Sequence, residues 1–113
     1  MGEKNDLGKL PLGIVIHRQF PNAIKAIAEC SRYGHNKYSE TDTDWLNCQR
    51  VENGEERYLD ALTRHLVDSG VNLDAKDAES GLEHIKHAAW NLLQLLEILE
   101  LKKYKDARTG NSN

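Results

Sequence analysis

Apolar residues return at alternating spacings of three and four near the end of the chain: Leu82, Ile85, Ala89, Leu92, Leu96 and Leu99. That spacing predicts a helix with one continuous oily stripe, expected to face the core. At about 100° per residue a second face carries Ser80, His84, His87 and Asn91, then Leu95 and Ile98. An ordinary surface helix would place Lys and Glu there. A face that is polar first and apolar later predicts a helix buried on two sides, the polar half lining a site.

Upstream, Pro21-Asn22 predicts a helix start, because proline fits a first turn. Ala23, Ile24, Ile27, Ala28 and Ser31 give that helix a small-residue face, and Gly34 is expected to end it. A short helix is expected from Thr41–Asp44 into Trp45-Leu46, capped by Thr41 or Thr43. Asn53 with Glu56 resembles a capping box at the start of a third helix that stops at Gly70, its core face Leu59, Leu62 and Leu66. Residues 1–19 contain Pro11 and Gly13 amid apolar residues and read as an extended arm. The fold class is therefore all-α, a bundle of about four helices with a long C-terminal helix. The 113 residues make one domain: arm 1–19, helical core 20–104, frayed tail 105–113.

Charge removes several function classes. With 18 acidic against 15 basic residues, interspersed, the chain has no electrostatic footprint for nucleic acid. No apolar run reaches the roughly 20 residues of a membrane span, and the N-terminus lacks the regions of a signal peptide. Cys30 and Cys48 have no zinc-knuckle spacing, so free thiols in a reducing cytoplasm are expected, with a mutual disulfide as the other option.

Four groups carry candidate chemistry. His84 and His87, three apart, face one way and suit a metal or a phosphate, or hydrogen bonds across a helix interface. Arg57 and Arg64, seven apart, match phosphate oxygens with their guanidinium forks, with His65 beside them. An ion-pair ladder of Asp60, Arg64 and Asp68 is the alternative. Asp74, Asp77, Glu79 and Glu83 would hold Mg²⁺, or cap the last helix through its dipole. Tyr33, Tyr38 and Trp45 around Lys37 would stack on a base, or pack on the rim.

Taken together, YGHNKY (33–38), RYLDALTRHL (57–66) and DAESGLEHIKHAAWNLLQLLE (77–97) resemble the phage-associated family of dATP/dGTP diphosphohydrolase N-terminal domains. The resemblance covers roughly Arg32 to Leu101 and matches its motifs at Lys37, Tyr38, Trp45, Arg57, Arg64, His65, Glu79, Ser80, Gly81, His84 and His87. It implies an enzyme similar in kind to the all-α, Mg²⁺-dependent MazG-like pyrophosphohydrolases, cutting a purine deoxynucleoside triphosphate to the monophosphate and pyrophosphate. On that reading Asp74, Asp77 and Glu79 hold Mg²⁺ or another divalent ion, and Glu79, His84 and His87 are catalytic. Lys37, Tyr38, Trp45, Arg57, Arg64 and His65 bind the nucleotide. The alternative is a phage protein that sequesters a nucleotide immune signal without cleaving it. The partner expected is a purine nucleotide, with no nucleic acid and no membrane. The location is the cytoplasm, the host's if the chain is phage-encoded. The leucine stripe predicts a homo-oligomer, most simply a dimer.

Overall fold

The computed structural model describes residues 8–38, 41 and 44–109. Four α-helices follow one another with no strand among these residues: α1 (Leu12–Ile14), α2 (Pro21–Tyr38), α3 (Gly54–Ser69) and α4 (His84–Thr109). A π-helical turn (Val15–Gln19) continues α1, and a 3-10 turn (Asn47–Arg50) precedes α3. The fold is all-α with a long C-terminal helix, as expected. Helices α3 and α4 form the principal packed pair, and α2 lies against α4. No helix among the described residues is long and apolar enough to cross a membrane.

Several boundaries differ from the sequence reading. The stretch expected to be extended is wound from Leu12 to Gln19, because Pro11 stands at the N-cap, where its missing N–H sacrifices no helical bond. Between Thr41 and Leu46 the described residues form turns, and helical winding begins only at Asn47. Residues 1–7 of the arm, Asp42 and Thr43 of the expected short helix, and 110–113 of the tail lie outside the described residues. Helix α4 continues to Thr109, past Tyr104. Asn53 makes no side-chain cap: its φ of 57° is left-handed, whereas a capping side chain needs extended backbone. Cys30 and Cys48 are free thiols, and burial pushes the Cys30 thiol up to about 11.

Gly34 does not end α2, which runs on through Tyr38. The last turn is held by contacts that spacing does not reveal: His35 stacks on Trp45, and Lys37 pairs with Glu79. Those contacts override the roughly 1 kcal/mol by which glycine disfavours a helix interior. A Cβ at Gly34 would meet nothing within 4 Å. Gly34→Ala is therefore expected to stabilise the chain by about 0.4–1 kcal/mol. Chemical denaturation checks this; an unchanged or lowered midpoint would show that α2 is not helical there.

The core sits on different faces from those expected. On α4 the buried residues are His84, His87, Ala88 and Asn91, whereas Ile85, Leu92 and Leu96 are 41%, 53% and 51% exposed. On α3 the buried residues are Gly54, Tyr58 and Ser69, with Leu59 and Leu66 half exposed. The two helices thus meet through faces one step round from their leucines. The expected grading of the second face holds, since Ile98 packs where α3 begins: a Cβ at Gly54 would lie 3.2 Å from its Cδ1. Both oily stripes are left uncovered.

Candidate functional site

The turn between α3 and α4 builds the site. Gly70, with φ 60°, closes α3 by donating to the carbonyls of Leu66 and Val67. The chain then folds back on itself through an isolated antiparallel bridge between Lys76 and Glu83. Three backbone bonds lock this return: His84 N–H to Ala75 O at 2.9 Å, Asp77 N–H to Leu82 O at 2.8 Å, and Gly81 N–H to Asp77 O at 2.8 Å. Gly81 takes φ 76°, which a side chain would resist. Ser80 is therefore not on the helix, contrary to the periodicity. The turn nevertheless carries it back over the same face, where Ser80 Oγ lies 2.6 Å from His87 Nε2.

Three imidazoles and one carboxylate gather beneath that turn. His65 of α3 and His84 of α4 face each other, Nδ1 to Nδ1, at 2.9 Å. The His65 and His87 rings stack at 4.7 Å, nearly parallel. Asp77 accepts the Ser80 N–H at 2.8 Å. Ligand atoms of His65, Asp77 and His84 all lie within 4.8 Å of one another. His84 and His87 are buried; His65 and Asp77 are half-buried.

The electrostatics favour neutral His65 and His87 rings beside an ionised Asp77. Burial pulls His65 down, helped by the neighbouring His87 and His84, against the opposing charge of Asp77. Burial also pulls His87 down, although Asp77 pushes the other way. For Asp77 burial alone would raise the carboxyl; hydrogen bonds from the Ser80 N–H and hydroxyl, with the imidazoles, outweigh it and hold the acid below its usual range.

A rim of charge and aromatic rings surrounds this cluster. Glu79 accepts from Lys37 Nζ and from the Tyr33 hydroxyl, the latter at 2.7 Å, and so ties the turn to the end of α2. These two donors, Lys37 first, hold the Glu79 carboxyl below its usual range. Tyr33 meets His87 edge to face at 5.9 Å, and Lys37 lies 4.9 Å from the centre of the Tyr38 ring. Trp45 stacks on His35 at 3.9 Å yet stays half exposed. Arg57 and Arg64 are exposed on α3, and among the described residues neither has an ion-pair partner, so the expected ladder through Asp60 and Asp68 is not formed there.

The structure therefore brings together part of the expected set. His65, His84, His87 and Asp77 converge; Lys37, Tyr38 and Glu79 form the rim. Asp74 is exposed in the 72–74 turn, where its own N–H bonds Asn72 Oδ1 at 3.0 Å. Asp74, Asp77 and Glu79 do not share one point, because Glu79 is turned to Lys37 and Tyr33. Among the described residues the ligand atoms that gather within 4.8 Å belong to His65, Asp77 and His84, and not to Asp74 or Glu79. Tyr33, expected to stack on a base or pack on the rim, donates to Glu79, and Ser80, expected on the polar face, lies against His87. A separate shallow groove of about 550 Å³ lies at the far end of the α3–α4 pair, lined by Gln49, Val51, Asn53–Glu56, Ile98 and Lys102. Its lining contains no imidazole.

Comparison with known proteins agrees with the motifs. Residues 1–108 match the model of the family described as dATP/dGTP diphosphohydrolase, N-terminal. A dATP/dGTP diphosphohydrolase of Salmonella phage PMBT28 is 31% identical over 107 residues, which cover 95% of this chain and 33% of the relative. The chain thus spans about a third of the length of the curated relative it matches. No solved structure matches.

Proposed function

Because this chain belongs to the dATP/dGTP diphosphohydrolase N-terminal family, we propose that it hydrolyses a purine deoxynucleoside triphosphate to the monophosphate and pyrophosphate. The observation that carries this reading is the convergence of His65, Asp77, His84 and His87, which arrive from α3, the turn and α4. A divalent cation, when bound, neutralises phosphate charge and acidifies its water. The other roles fall to the chain itself. Arg57, Arg64 and Lys37 supply cationic donors to the phosphate oxygens. His87, held through Nε2 by Ser80, is positioned to pass a proton to or from the attacking water. Trp45 and Tyr38, both substantially exposed, offer ring faces to the purine.

One observation favours a second reading. Glu79, expected to hold the cation and act in catalysis, spends its carboxylate on Lys37 and Tyr33, as a binding-only protein would allow. Incubating the purified chain with dATP or dGTP and divalent cations, then assaying pyrophosphate, separates the two. Release of pyrophosphate supports the hydrolase. Binding with the triphosphate recovered intact selects sequestration, and no binding at all would sink both.

The uncovered leucines of α3 and α4 supply the remaining element. A second copy of the chain covers them in this proposal, since Leu59, Leu66, Leu92 and Leu96 all stay half exposed on the two packed helices, and a clustered apolar face of that kind marks an interaction surface.

A further inference from the structure

The acids expected to hold Mg²⁺ stand apart, while two imidazoles and one carboxylate stand together. Imidazole nitrogen suits first-row transition ions, whereas Mg²⁺ takes oxygen ligands and keeps its waters. The spacing supports the same choice. Two nitrogens bound at about 2.1 Å to one cation in adjacent octahedral positions are separated by about 3.0 Å; tetrahedral positions would separate them by about 3.4 Å. His65 Nδ1 and His84 Nδ1 are 2.9 Å apart. We propose that His65, Asp77 and His84 form a binding site for one divalent first-row transition ion, such as Mn²⁺, Fe²⁺, Co²⁺ or Zn²⁺, on one side of the coordination sphere.

The surroundings are those of a prepared ligand set. Asp77 is fixed at both ends of its residue, its N–H by Leu82 and its carbonyl by Gly81. One carboxylate oxygen, Oδ2, accepts the Ser80 N–H, the kind of outer hydrogen bond that orients a ligating acid. His65 is braced by the stacked His87 ring. His84 begins α4 and is buried, while His65 and Asp77 are half-buried, so the cluster is reached from one side. Three protein ligands leave open positions on an octahedral ion, enough for phosphate oxygens and a water. This assignment deepens the diphosphohydrolase reading and rests on it for the ligand that fills those positions. The capacity to hold the ion rests on the protein alone.

The test is made on the metal-stripped chain, without nucleotide, by calorimetric titration with Mn²⁺, Co²⁺ and Zn²⁺ and with Mg²⁺. One transition ion per chain is expected, undisturbed by about 1,000-fold excess Mg²⁺. Asp77→Asn and His65→Gln are each expected to weaken it by more than the roughly 10-fold that loss of an outer hydrogen bond costs. Asp74→Asn and Glu79→Gln are expected to bind as the parent does. Because His84 is buried and its variants risk unfolding, a second readout uses the parent chain: substoichiometric Mn²⁺ should broaden first the NMR signals of His65, Asp77 and His84. Failure of every transition ion to bind, broadening centred elsewhere, or equal competition by Mg²⁺ would each overturn the site and leave His65–His84 as a plain hydrogen bond. The two proposals fail separately. An ion bound at this cluster with no pyrophosphate from any purine triphosphate sinks only the hydrolase, while turnover with Mg²⁺ in a chain that binds no transition ion sinks only the site.

Discussion

A chain carrying Leu92→Glu and Leu96→Glu is expected to run as a monomer and to lose most of its resistance to heat. If nothing covered these side chains, both half exposed, the exchange would change stability by about 0.5 kcal/mol per site or less, as at other surface positions. Beneath a second copy of α4 the same exchange buries carboxylates without partners, at several kcal/mol each. The difference decides between the two cases. Sedimentation and light scattering of parent and variant across a concentration series make the measurement, with thermal melts alongside. A parent that is monomeric at high micromolar concentration, or a variant indistinguishable from it, would mean that the leucine face is open by nature.

The second large effect is expected at His87. His87→Ala removes the ring that Ser80 holds and that stacks on His65. A positioned proton-transfer group contributes about 10²–10⁴-fold to rate, so kcat for pyrophosphate release should fall by that factor. His87→Gln keeps a hydrogen-bonding partner for Ser80 but cannot carry a proton at neutral pH. It is therefore expected to retain the parent's helical circular dichroism while remaining as slow as the alanine variant. A glutamine variant with near-parental turnover would reduce His87 to a packing residue, and recovery of activity in it alone would assign the effect to Ser80 positioning.

How much of this was legible in the chain differs from element to element. Helix α3 was readable at both ends, because Asn53-Gly54 and Gly70 interrupt an otherwise helical run and no tertiary contact competes with them. The convergence of His84 and His87 followed from spacing alone. What spacing could not supply was the direction of burial. Reading a leucine stripe as core assumes that the most apolar face is the packed one; here α3 and α4 meet through Tyr58, His84, His87 and Asn91. Gly34 misled for a related reason, since the side chains that hold the last turn of α2 find partners at Trp45 and Glu79, far away in sequence. The acids misled because proximity along the chain is not proximity of carboxylates: a tight turn sends Asp77 inward and leaves Glu79 to Lys37. Ser80 reached its expected neighbour by an unexpected route, through a turn rather than a helix.

The contact of Ile98 with Gly54, which leaves scarcely room for a methyl group, has a mechanical corollary. His65 stands about 16 Å along the α3 axis from that point, so the glycine acts as the fulcrum of a pair of tongs. Each degree by which the two rods splay there displaces His65 against His84 by about 0.3 Å. A side chain at position 54 larger than Ile98 can turn aside to admit would therefore widen a distant set of jaws.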